Sequence, residues 1–319
     1  MTELSLPPTE SSRSESLLTV VVAFVANVLI AVAKTAAALV TGSASMVAEA
    51  AHSWADSGNE VFLLVAQRRA ARPADERHPV GHGREAYVWS LFAAVGLFAV
   101  GAAVSITHGI TELIHPEPAQ DFVIAYVVLG IAFVLEGISF LQSTRQAKSE
   151  ASRIDRELLE HVVATSDPTL RAVFAEDAAA LVGVLIAFAG IGLHELTGSS
   201  VPDAVGSILV GVLLGVVSLL LIDRNRRFIV GEAVDPALRA VALGRLLAEP
   251  EVLAVTYLQM EFAGPRQISL LARVDLVADD PESQVAATLA ELERRIESEP
   301  AIARAVLAPS PPGSVPLVP

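Results

Sequence analysis

Long apolar runs alternate with short polar ones through residues 17–222, and the pattern changes character beyond residue 225. Six stretches, about 17–39, 44–66, 86–107, 121–142, 171–193 and 202–222, are each long enough to cross roughly 30 Å of hydrocarbon as a helix. The first, third, fourth and sixth are nearly free of charge apart from Lys34 and Glu136, whereas the second and fifth carry interior acids. Residues 1–16, MTELSLPPTESSRSES, are polar and rich in Pro and Ser, which predicts a disordered tail. They lack the basic start and small-residue cleavage pattern of a signal peptide, so the first span is expected to stay in the protein. The connector 144–170 places Ile154, Leu158, His161 and Val162 at helical spacing, and reads as a solvated linker helix ending before a restart at Ser166-Asp167-Pro168.

After residue 225 the periodicity is that of a small folded domain. Asp235-Pro236 supplies an N-cap and a first-turn proline for a helix to about Ala248. Val252–Phe262 reads as a strand, Gly264-Pro265 as a turn, and Ile268, Leu270, Ala272, Val274 and Leu276 alternate in a second strand. Asp280-Pro281 repeats the cap signal before a helix with Val285, Leu289, Leu292 and Ile296 on one face, and Ala303–Leu307 reads as a third strand. The expected architecture is an α-helical membrane protein: a disordered tail (1–16), six transmembrane helices (17–224), a cytoplasmic αββαβ, or α+β, domain (225–308) and a frayed, Pro-rich end (309–319).

Composition narrows the function. The chain has 319 residues, 53% of them hydrophobic, and no cysteine, so disulfides and thiolate metal sites are excluded. The net charge of −14 argues against nucleic-acid binding. Arginines cluster in 67–85, in 144–171 and just after the sixth span, while the connections near 40–44, 108–120 and 194–201 contain no Lys or Arg. The positive-inside rule then places both termini in the cytoplasm. The strong bias to Arg over Lys, and a start unlike a transit peptide, point to a prokaryotic cell membrane. No nucleophile elbow or phosphate loop is present, so the protein is not expected to be an enzyme.

The candidate chemistry lies in the second span. His52 and Asp56 stand four residues apart, leaving one helix face about 6 Å apart along the axis. Glu49 and Glu60 extend the same stripe, and charges at bilayer depth cost roughly 3 kcal/mol each on insertion scales. Such a face attracts a cation. The fifth span adds Glu176 and Asp177. His52, Asp56 and Asp177 would supply one nitrogen and two oxygens, with Glu176, Asn59 or water completing four ligands for Zn²⁺, or for Mn²⁺, Fe²⁺ or Co²⁺. A buried polar cluster that pins helices together is the alternative. Lys34 is expected to pair with an interior acid; Glu136 could relay protons or bond between helices. In the loop between the second and third spans, Asp75, His78 and His82 are spaced three and four apart, so that one carboxylate and two imidazoles can meet at a helix start. His108, His115 and His194 fall near the outer surface and read as ordinary interfacial residues.

These motifs resemble the cation diffusion facilitator family of divalent metal transporters. The resemblance rests on Gly42-Ser43-Ala44-Ser45, His52-Ser53 with Asp56, His78-Pro79-Val80-Gly81-His82-Gly83-Arg84, Pro202-Asp203, and six spans followed by an αββαβ domain, and it covers about 17–308. It implies a homodimeric exporter of a divalent metal, usually Zn²⁺, driven by counter-moving protons, with the metal as substrate and no prosthetic group. It also implies an intramembrane site of His52, Asp56 and Asp177 and a loop site of Asp75, His78 and His82. Many members carry a His four residues before the span-five Asp, where this chain has Val173. The run Asp167-Pro168-Thr169-Leu170-Arg171-Ala172 with Glu176-Asp177 is similar instead to the branch that includes the animal mitochondrial zinc transporters. The alternatives are a member preferring Mn²⁺, Fe²⁺ or Co²⁺, or a membrane metal sensor or scaffold that moves nothing. Residues 225–319 hold neither His nor Cys, so the C-terminal domain is expected to dimerise without zinc.

Overall fold

The computed structural model describes residues 10–116, 121–153, 156–278 and 280–318. Its long helices are α1 (Glu10–Thr41), α2 (Ala44–Ala70), α3 (Glu85–Gly96) running through a π-helical turn at Leu97–Ala102 into α4 (Ala103–Ile114), α5 (Phe122–Arg153), α7 (Pro168–Thr197) and α8 (Val201–Val230). A short helix, α6, spans Leu158–Ala164. Five of the long helices, counting α3 to α4 as one, are long and apolar enough to cross a membrane. Helix α2 is the sixth span, less apolar because it carries Glu49, His52, Asp56 and Glu60.

Four expectations are corrected by this fold, three of them as follows. Residues 1–9 of the expected disordered tail lie outside the described residues, but 10–16 are helical, continuous with the first span. Extending a helix by one residue costs far less than nucleating one, so the span carries the polar stretch with it. The connector is not a solvated linker. Residues 154 and 155 lie outside the described residues, and beyond them Val162 packs with Ala147, Leu170 and Phe174 in a small core. His161 is buried there, 3.6 Å from Glu150. Third, α10 (Glu282–Glu297) starts behind Pro281 without a side-chain cap, so Asp280 is not its cap.

The chain divides into two units. The first holds the spans up to Leu64, Phe92–Val163 and Thr169–Ile222. Within it the N-terminus of α2 is closed by the first turn of α8. The Asp203 carboxylate accepts the Ala44 and Ser45 N–H groups at 2.9 and 3.1 Å and the Ser43 hydroxyl at 3.0 Å. The two N–H groups are donors a helix start leaves without intrahelical partners, so the two motifs around Ser43 and Asp203 form one structural device. Helix α4 and helix α8 meet through glycines: a Cβ on Gly109 would come within 2.7 Å of the Ala204 carbonyl oxygen. Small residues permit such close crossing in lipid, where apolar burial does not drive helices together.

The second unit contains Val65–Leu91, Ala164–Pro168 and Asp223–Pro319. Its sheet has the order β1 (Val252–Gly264), β2 (Gln267–Leu276), β3 (Ile302–Pro309), with β1 and β2 antiparallel and β2 and β3 parallel. A parallel pair needs a crossover, supplied by α10. Leu243 and Leu246 of α9 (Pro236–Leu247), Leu289 and Leu292 of α10, and Val255, Met260, Leu270 and Val274 of the strands form one core. The Asp235 side chain caps α9 through the Ala237 N–H, as its sequence predicts. The final segment is tied down, not frayed. The Leu317 N–H donates to the Val255 carbonyl at 2.7 Å, and its side chain packs on the core. An open edge of β1 and an apolar side chain together hold it.

Candidate metal centres

Within the first unit a cavity of about 310 Å³ opens between α1, α2, α5 and α7. Its wall includes five carboxylates, Asp56 and Glu60 from α2, Glu136 from α5, and Glu176 and Asp177 from α7, with Asn27, Ser53, Ser139 and Val173 beside them. Close carboxylates repel, and a divalent cation or protons relieve that repulsion. Four of the five meet Asn, Ser or His side chains. Glu60 accepts from Asn27 and Glu176 from Asn59. Asp177 accepts from the Ser139 hydroxyl at 3.1 Å and the Ser143 hydroxyl at 2.9 Å. Asp56 lies 3.2 Å from His52 Nε2. His52 is buried and neither ring nitrogen has a hydrogen bond. An imidazole whose nitrogens are not committed to protein partners remains available to an ion or a proton.

The fifth, Glu136, faces a charge. Lys34 Nζ is fully buried, 2.9 Å from Glu136 Oε1 and 2.9 Å from Glu49 Oε2. The expected pairing of Lys34 with an interior acid is thus present, and the interhelical bond that the sequence left open for Glu136 is made by Lys34, from α1 to α5. Glu49, read in the sequence as part of a cation-seeking stripe, is spent on Lys34 and does not line the cavity.

The loop cluster is better closed. Asp75, His78 and His82 each present a ligand atom, all within 4.8 Å of one another, and they form the single group of three such residues among the described residues. Asp75 Oδ1 lies 3.1 Å from His78 Nδ1, and its Oδ2 3.0 Å from His82 Nε2. The backbone N–H groups of Arg77 and His78 also donate to Asp75 Oδ1. The hydrogen bond from His82, then those around His78, hold the Asp75 carboxyl far below the usual carboxylate range. One carboxylate and two imidazoles are a donor set that fits Zn²⁺. This loop packs on the β1–β2 turn within the second unit. Arg84 pairs with Glu261 at 2.9 Å, and a Cβ on Gly83 would fall 2.8 Å from Gly264 Cα.

Set against the sequence reading, Asp56, Glu176 and Asp177 share one cavity, and His52 adjoins it through Asp56. No three His or acidic side chains of that cavity reach within 4.8 Å of one another, so the intramembrane set is not drawn into one coordination sphere. Asn59 is engaged by Glu176. Sequence reasoning missed Ser139 and Ser143 as partners of Asp177. The signal was there: 136, 139 and 143 step by three and four, a polar stripe on an otherwise apolar span. Glu85 at the rim of the loop cluster, 3.6 Å from His82 Nδ1, was missed as well.

A six-span helical protein with a carboxylate-walled cavity and a C-terminal mixed-sheet domain is the class that fold and site define. Residues 20–229 match the cation efflux transmembrane domain, and the chain belongs to that family. It is 35% identical over 256 residues to the mitochondrial proton-coupled zinc antiporter SLC30A9 of Xenopus laevis, covering 80% of this chain and 46% of that one. It is 34% identical over 230 residues to metal tolerance protein C4 of Arabidopsis thaliana, covering 72% and 50%. Magnetosome protein MamB of Paramagnetospirillum magneticum is 24% identical over 278 residues, covering 87% and 88%. The chain therefore spans about half the length of the first two relatives. The expected likeness to mitochondrial zinc transporters holds.

Proposed function

We propose that this protein exports divalent cations, with Zn²⁺ as its first cargo, exchanging them for protons by alternating access. The observation that carries this reading is the cavity between α1, α2, α5 and α7, walled by five carboxylates with His52 beside Asp56. The names of the zinc antiporter relatives support it. Ligation needs neutral imidazole and ionised acid, so an arriving ion releases protons from His52 and the carboxylates, and protons on the far side displace it. His52, Asp56 and Asp177 are the ligands in this reading, with Glu176 completing the set.

The arginine distribution supports both termini on the cytoplasmic side, and the bias to Arg over Lys supports a cell membrane. Homodimerisation through residues 225–319 would proceed without zinc there, since that region lacks His and Cys. Stoichiometric zinc binding by a full chain stripped of the loop histidines and Asp177, at micromolar affinity, would count against this.

A second reading is a metal sensor or scaffold, favoured by the closed Asp75, His78, His82 cluster. Uptake of Zn²⁺, Mn²⁺, Fe²⁺ and Co²⁺ into proteoliposomes under an imposed proton gradient, beside an Asp177→Ala control, separates the two. Zinc flux that requires both gradient and Asp177 sustains the exporter. Manganese, iron or cobalt flux alone makes Val173, in place of an imidazole, the determinant of cargo. Absence of any flux turns the reading to the sensor.

A further inference from the structure

We propose that Lys34 is a selectivity-determining residue: a tethered cation that withholds Glu136 from the ion in the cavity and so limits the number of its carboxylate ligands. This rests on the reading of the cavity as a divalent-cation site.

The argument begins with the partners of the wall carboxylates. Asn27, Asn59, Ser139 and Ser143 are neutral donors, and a divalent ion replaces such a bond readily. Glu136 differs, because the fully buried ammonium of Lys34 stands 2.9 Å from its Oε1. Between unit charges at low dielectric the attraction is far stronger than in water. Leaving Glu136 would also strand a fully buried ammonium on Glu49 alone.

Geometry makes the hold effective. Lys34 reaches from α1 to Glu49 on α2 and to Glu136 on α5, so it straddles helices that form the cavity wall. Glu49 lies off the wall and serves as an anchor. A Cβ on Gly183 of α7 would fall 2.7 Å from Glu49 Oε1, so the glycine leaves the space that the anchor occupies. The residue is a lysine in a chain with twenty arginines and two lysines, and a compact ammonium fits between two single carboxylate oxygens where a planar fork would not.

The chemical consequence concerns the cargo. Oxygen-only sets with many carboxylates accept Mg²⁺ and Mn²⁺, whereas borderline Zn²⁺ favours fewer ligands that include imidazole. A freed Glu136 would add a further oxygen and shift the balance towards Mn²⁺.

The test is equilibrium binding of Zn²⁺ and Mn²⁺ to the purified full-length chain, in a His78→Ala/His82→Ala background so that the loop cluster does not contribute. Lys34→Met/Glu49→Gln removes the cation together with its anchor and frees Glu136. The expected result is a fall of about tenfold in the Zn²⁺ to Mn²⁺ affinity ratio, reversed when Glu136→Gln is added. Glu49→Gln alone, which leaves the Lys34–Glu136 pair intact, keeps or raises the ratio and needs no folding rescue. An unchanged ratio in the double variant, a fall that Glu136→Gln does not reverse, or a fall in Glu49→Gln overturns the inference. If the folded background protein binds neither ion, or binding survives Asp177→Ala, the cavity reading fails and this inference with it; Asp177-dependent binding with an unmoved ratio overturns the inference alone.

Discussion

Ser45 and Asp203 are joined twice: the Ser45 N–H donates to Asp203 Oδ1 at 3.1 Å, and the Ser45 hydroxyl donates to the Asp203 carbonyl oxygen at 2.9 Å. With Ala44 and Ser43 on the same carboxylate, one acid in α8 finishes the start of the helix that carries His52 and Asp56. Asp203→Ala is expected to cost about 2 kcal/mol, within the range for losing a cap and its buried bonds. It would appear as a lower thermal midpoint of the detergent-solubilised protein, with Asp203→Asn losing less. An unchanged midpoint would refute the capping role.

Val173 lines the cavity one turn before Asp177 on α7. Val173→His would place an imidazole on the wall, and Zn²⁺ affinity is expected to rise about tenfold, with a larger gain over Mn²⁺. Competition against a chelating dye measures this directly. No gain in affinity would mean that this part of the wall does not face the ion.

Gly83 has no space for a side chain. A Cβ there would lie 2.7 Å from the Ala263 carbonyl oxygen and 2.8 Å from Gly264 Cα, both backbone atoms that cannot rotate aside. Gly83→Ala is expected to destabilise by about 1–3 kcal/mol and to weaken zinc binding at Asp75, His78 and His82, because His82 adjoins the displaced residue. Zinc titration of an Asp177→Ala background, where the loop cluster is read alone, checks it; wild-type affinity with an unchanged midpoint would be the contrary result.

In the C-terminal domain Arg295 donates to Glu251 Oε1 at 3.0 Å and holds the Glu251 carboxyl below its ordinary value. A carboxyl depressed in the folded state contributes stability above its unfolded pKa, about 4.3, and loses it as pH falls through the folded value. Arg295→Ala therefore flattens the drop in thermal midpoint between about pH 5 and pH 3. Parallel profiles for wild type and variant would show that the pair contributes nothing.

The elements were legible because their signals are local. Alternation at Ile268, Leu270, Ala272 and Val274 placed β2, and the Asp235-Pro236 pair placed the start of α9. The loop cluster was legible for the same reason: Asp75, His78 and His82 lie within eight consecutive residues, and a turn built on Asp75 brings them together. At the C-terminal end and at Glu49, where the reading also went astray, the partner was remote in sequence. Leu317 is held by Val255, and Glu49 by Lys34.

By itself the sequence determined six spans, the αββαβ order and the residue types able to hold a cation, since hydrophobic period, caps and turn residues act over a few positions. Tertiary structure decided which acids face the cavity and what each one meets there. Glu136 and Glu49 are chemically alike, yet one lines the cavity and the other anchors Lys34 off it. The reason is physical: the energy of a buried charge depends on the neighbours that helix packing sets beside it, and those neighbours come from α1, α2 and α5.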